Sequence, residues 1–193
     1  MCIRDRFLWA LRASFRELRD LARDRVTRII HGLEHAAIKI MERDGQRVLG
    51  GLTRAGFFEV YVPSDSANPG QAKLIRKSTS EAIRRIRDGE RRLAFDRRCG
   101  TSLLVAVLLV ALAAIGSGAV GLSMHLRPQV LLAIGVGFVV VVVLGTRPLG
   151  LLAQYLLTVS TALRSARVLR IVRRIEHQDT IAYEVHLAVR PRG

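Results

Sequence analysis

Two uncharged segments dominate the hydropathy pattern: Thr101 to Met124, 24 residues, and Gln129 to Thr146, 18 residues, separated by His125-Leu126-Arg127-Pro128. At 1.5 Å per residue they would be about 36 and about 27 Å long, against a hydrocarbon core of about 30 Å. Lipid offers no partner for a free N–H or C=O, so two helices joined by a polar turn would satisfy the backbone. The pattern predicts a transmembrane helical hairpin over 101–146. Ala114 and Gly118, like Ala133 and Gly137, are small residues four apart. They predict that the two helices pack closely or that copies of the chain associate as a homo-oligomer through the same faces. Leu149 to Leu163 is apolar but short for a span, and reads as an interfacial helix or a partial third span.

The flanks carry other periods. Leu8, Leu11, Phe15 and Leu18 recur at helical spacing among arginines, a basic amphipathic helix from Phe7 to about Arg25. Val26, Ile30, Leu33, Ala37 and Ile40 form the stripe of a second helix, to about Arg43, stopped by Asp44-Gly45. Arg47 to Leu52 and Gly56 to Val62 read as strands of a hairpin turning at Thr53-Arg54-Ala55. Pro63 to Gly70 has loop composition. Ser78-Thr79-Ser80-Glu81 has capping-box spacing, predicting a helix from Ser78 to about Phe95 with Ile83, Ile86, Leu93 and, against the period, Glu90 on its apolar stripe. Val168 to Ile175 and Thr180 to Val189 alternate like a second hairpin. The expected fold is an α+β membrane protein: a small cytoplasmic domain, 7–98 and 164–193, interrupted by its membrane anchor.

Charge refines the placement. The net charge is +15, with 31 Lys and Arg against 16 Asp and Glu. Of the 31, 22 precede Thr101, Arg127 lies between the apolar segments, and eight follow. The positive-inside bias then puts both termini in the cytoplasm of a bacterium and makes the chain a multi-pass inner-membrane protein whose basic flanks meet an anionic inner leaflet. Nucleic acid is not expected as a partner, because aromatic residues are 5% of the chain and no basic and aromatic surface repeats along it. Two cysteines, Cys2 and Cys99, are too few for a disulfide framework. Met1 to Arg6 reads as translated sequencing-adapter DNA and is set aside.

The chemistry concentrates at His31-Gly32-Leu33-Glu34-His35, an H-x-x-E-H element. On a helix, residues i and i+4 share a face, so both imidazoles can reach one cation, and Glu34 on the flank can act as general base on a metal-bound water. This is the inverted zinc-peptidase spacing. The His pair points away from the apolar stripe, so a second element must cover it if it is not to be solvated. A third ligand is needed. Cys99 is one candidate, with Arg97 and Arg98 favouring its thiolate, and Glu90 is the other, because a carboxylate on an apolar stripe needs a partner. Zinc is the metal these donors suit. The plain alternatives are hydrogen-bonded core histidines, a Glu90 paired with arginine and a Cys99 acting as a small hydrophobe.

His31 to Ala36 (H-G-L-E-H-A), Gly56-Phe57-Phe58, Gly89-Glu90 and Cys99-Gly100-Thr101-Ser102-Leu103 together resemble an uncharacterised family of small bacterial membrane proteins with H-x-L-E-H-A-T and C-G-T-N-L elements. The resemblance implies that His31, Glu34, His35 and Cys99 belong to one pattern, and it departs at Ala37, Ser102 and Arg97-Arg98. Three functions remain open: a membrane protein with a zinc-binding cytoplasmic domain, a membrane-bound zinc hydrolase with Glu34 as base, and a non-enzymatic scaffold that binds anionic lipid.

Overall fold

The computed structural model describes residues 24–66, 69–96, 99, 107–112, 114–116, 127–177 and 179–192. The expected N-terminal amphipathic helix up to residue 23, the adapter-like peptide, Arg97-Arg98, Gly118 and His125-Leu126 lie outside them.

Helix α1 (Arg25–Arg43) starts where Asp24, in an extended conformation, accepts from the Val26 and Thr27 backbone N–H groups at 3.0 Å each and from the Thr27 hydroxyl at 2.6 Å. That is an N-cap answering two donors the first turn leaves free. The predicted stripe is buried except at the half-buried Val26, and so is every residue from Ile29 to Ile38. Strands β1 (Gly50–Arg54) and β2 (Phe57–Pro63) form a hairpin whose turn is Ala55-Gly56, with Gly56 at φ +86°. This falls later than Thr53-Arg54-Ala55, because glycine tolerates the left-handed backbone that a two-residue turn demands.

Helix α2 (Gln71–Arg87) begins seven residues before Ser78. Ser78 and Thr79 are buried inside it, and the Thr79 hydroxyl donates back to the Ile75 carbonyl at 2.8 Å. The capping-box expectation fails because Ser and Thr can satisfy themselves within a helix as well as at its end. The helix stops at Asp88-Gly89, with Gly89 at φ +107°, and Arg91–Ala94 is a separate 3₁₀ turn. Glu90 is therefore not on a helical stripe at all. It lies on the surface and pairs with Arg85 at 2.6 Å.

Strands β3 (Leu163–His177) and β4 (Thr180–Pro191) form the second hairpin. The two hairpins join in one antiparallel sheet, order β1-β2-β4-β3, with β2 against β4 from Phe57↔His186 to Pro63↔Thr180. One face of the sheet, with Phe58, Val60, Val62, Ile181, Tyr183, Val185 and Leu187, closes a core with Ile30, Leu33 and Ile40 of α1 and Ile75, Ile83 and Ile86 of α2. These segments make up one compact unit, 1–96 with 157–193, and residues 97–156 make up another.

The second unit contains helix α3 (Pro128–Ala153) and helical residues 107–112 and 114–116. Among the described residues no helix is long and apolar enough to cross a membrane. This overturns the expected transmembrane hairpin, and with it the assignment to a multi-pass inner-membrane protein. An uncharged run counts residues and does not define a helix. Helix α3 continues past Thr146 through Arg147 and Pro148, and a π turn (Gln154–Thr158) and strand β3 replace an independent helix over Leu149 to Leu163. On α3, Leu132 (70% exposed) and Leu144 (72%) stand out with Val136, Phe138 and Val140 as exposed apolar side chains, the composition of an interaction surface.

Replacing Asp24 with alanine removes the cap of the most buried helix. The variant should be less stable by about 1 kcal/mol in urea unfolding, while Asp24→Asn, which keeps an acceptor, should lose much less.

Candidate metal centre

Helix α1 is buried on every side, which settles how the His pair is covered. Gly32, next to His31, is a point of close approach: a Cβ there would meet the Ala94 side chain at 3.2 Å and Val159 at 3.3 Å. The 3₁₀ turn and the segment entering β3 therefore lie directly on the helix, where any side chain would hold them off. The Ser160 N–H donates to the Arg28 carbonyl at 3.1 Å, and the Lys39 ammonium donates to the Phe95 carbonyl. The chain from Ala94 to Asp96 is thus strapped along α1 between Gly32 and Lys39, three residues before Cys99.

His31, His35 and Cys99 come together there. Each offers a donor atom, and these atoms all lie within 4.8 Å of one another. They are 3%, 7% and 6% exposed. The imidazole rings are 4.5 Å apart at a tilt of 44°. Burial, with His35 beside it, holds the His31 imidazole well below its ordinary range. Burial and the Lys39 ammonium push His35 down to about 3. Both rings are therefore neutral at pH 7, the form whose lone pair can bind a metal. His35 Nε2 is buried without a hydrogen-bond partner among the described residues. A nitrogen left so in a protein interior costs energy unless a further ligand meets it.

Glu34, one position away in sequence, goes elsewhere. Its carboxylate is buried, accepts from the Thr53 hydroxyl of β1, and lies over Gly51, where a Cβ would collide with it. Glu90 is with Arg85 on the surface and stands apart from the three converging donors. Lys39, Gly32 and Thr53, which position this region, are not among the residues the sequence pattern picks out, and neither is the stacking of His186 on Phe57. No sequence signal announces these, because each depends on a partner far along the chain.

A family model described as a domain of unknown function (DUF6391) matches residues 26–171. The chain belongs to this family. The DUF6391 match takes in α1, the first hairpin, α2 and Cys99, and thus all three donors of the buried group. No curated protein and no solved structure matches the chain. What can be stated of this DUF6391 chain is that a buried His-His-Cys group could hold a metal ion.

The depressed histidine values carry a stability consequence with a definite sign. A histidine whose folded pKa lies below the unfolded 6.5 contributes stability that is complete above that value and is lost as pH falls through the interval toward about 3 for His35. Metal-free protein should show a urea midpoint that drops between pH 6.5 and 4, and His35→Gln should flatten that slope. Parallel slopes for the two proteins would show that His35 is not buried as a neutral ring.

Proposed function

We propose that this DUF6391 chain is a metal-binding domain in which His31, His35 and Cys99 hold one divalent transition-metal ion, with zinc the best match. The observation that carries the reading is the convergence of three buried donors of the right chemistry on one point. Two imidazoles and a thiolate are a zinc donor set, and i, i+4 spacing on a rigid helix fixes two of them before the third arrives. Zinc bonds of about 2.0–2.3 Å bring donors within about 4 Å of one another, so the group needs only small side-chain adjustments to close on an ion. The orphan His35 Nε2 gains a partner when it does.

The role supported best is structural. Three donors leave the fourth position of a tetrahedral zinc to another ligand, but these donors are almost fully buried, whereas a catalytic position must be reached by water and substrate. Glu34, the natural base of the H-x-x-E-H element, is held by Thr53 and ties α1 to β1. Binding to the native state alone stabilises it by mass action, so metal should couple directly to folding.

Elemental analysis of the purified full chain should find about one zinc per molecule, or take up one when zinc is added to chelated protein. Cobalt substitution should give visible ligand-field bands with a sulfur-to-metal charge-transfer band in the near ultraviolet. Cys99→Ser should abolish the charge-transfer band, and His35→Ala should abolish stoichiometric metal. A chain that takes up no metal, or variants that keep it with circular dichroism like the parent, would end the proposal.

A further inference from the structure

The sheet face turned away from α1 and α2 is not an ordinary solvated surface. Paired residues share a face, so the register reads off one complete row across all four strands: Arg54 on β1, Phe57 on β2, His186 on β4 and Arg170 on β3. The row spans about 14 Å, three strand spacings of about 4.8 Å. At its centre the Phe57 and His186 rings stack, with centroids 4.9 Å apart and planes 27° apart. Two more cations extend the face beyond the row on the same side of the sheet, Arg167 opposite Ala188 and Arg190 opposite Ser165. Arg167, Arg170 and Arg190 are exposed and Arg54 is half-buried. None of the four has a carboxylate within ion-pair distance among the described residues.

Of the two acidic groups on the same face, one has a cationic partner and the other a neutral hydrogen-bond donor. Glu184 pairs with Arg174 and contacts His186 at 3.2 Å, and Glu59 accepts from the Tyr61 hydroxyl. What is left over is a pair of flat rings flanked by unpaired guanidinium groups. Charge alone would suit any polyanion. The stacked rings narrow the choice, because an unstacked nucleobase has a flat π face to add to the stack, while its phosphates match the arginines on either side.

We propose that this face binds single-stranded nucleic acid, with a base laid on the Phe57–His186 pair and phosphates held by Arg54, Arg167, Arg170 and Arg190. A duplex keeps its base faces inside the stack and cannot use the rings. The proposal is independent of the metal centre, which lies on the other side of the sheet's core-facing layer in α1. Sequence composition could not show this surface, because its six residues come from four strands separated by more than a hundred positions.

The test is fluorescence anisotropy of a labelled twelve-nucleotide oligouridylate titrated with the full chain across a salt series. Binding should weaken with salt with a log–log slope of up to about −3, since each phosphate contact contributes about −0.7 for single strands. Arg170→Gln should reduce that slope by about 0.7, and Phe57→Leu should weaken binding by about ten-fold while leaving the slope unchanged. A twelve-base-pair duplex should bind more weakly than the single strand. The proposal is overturned if the oligonucleotide does not bind, if Phe57→Leu binds as the parent does, if the duplex binds at least as well, or if phosphatidylglycerol vesicles bind and the oligonucleotide does not. Both substitutions are on the outer face, and a parent-like circular dichroism spectrum verifies the fold.

Discussion

The structure depends on one helix being buried all the way round. A surface helix hides a stripe and solvates the rest, so its polar residues need no help. Helix α1 has no solvated side over its central three turns, and each polar group there must meet a partner, which for His35 Nε2 no hydrogen bond among the described residues supplies. The β1 hairpin supplies the Thr53 hydroxyl to Glu34, and the turn before Cys99 is strapped down through Lys39. The two histidines meet each other and Cys99. The chemistry of the candidate centre and the packing of the domain are thus the same problem, how to bury H-x-x-E-H without leaving a charge or an unmet lone pair.

Glycine makes this enclosure workable in two places. Gly32 lets the segments at Ala94 and Val159 come down onto the helix, and Gly51 leaves room for a carboxylate between helix and strand. Both are approaches of backbone to neighbour, where a methyl group is already too much. The centre's dryness follows from these contacts, and with it the neutrality of both imidazoles.

Much of the sheet was legible because alternation has only two phases. Once Phe58, Val60 and Val62 are assigned inward, Phe57 and Tyr61 must face out, whatever the tertiary context. The boundaries of α1 were legible because Asp44-Gly45 is a stop with a mechanism. Helix α2 was misread because Ser78-x-x-Glu81 imitates a start, and Glu90 was misplaced in consequence. The apolar runs mislead most, since absence of charge alone does not make a continuous membrane helix. The convergence of His31, His35 and Cys99 was half visible: i, i+4 geometry joined the two imidazoles, but only the folded chain could bring up the thiol.

The order of strands imposes a timetable on synthesis. Strand β2 has its permanent neighbour in β4, and Phe57 must wait for His186 to leave the ribosome before the middle of the sheet can close. Until then the nascent chain displays an unpaired strand edge lined on one side by Phe58, Val60 and Val62, a template for mispairing with another chain. Helix α2, which follows β2 out of the ribosome, carries Lys73, Arg76, Lys77, Arg84, Arg85 and Arg87, so mutual repulsion between growing copies is a plain physical guard during that delay.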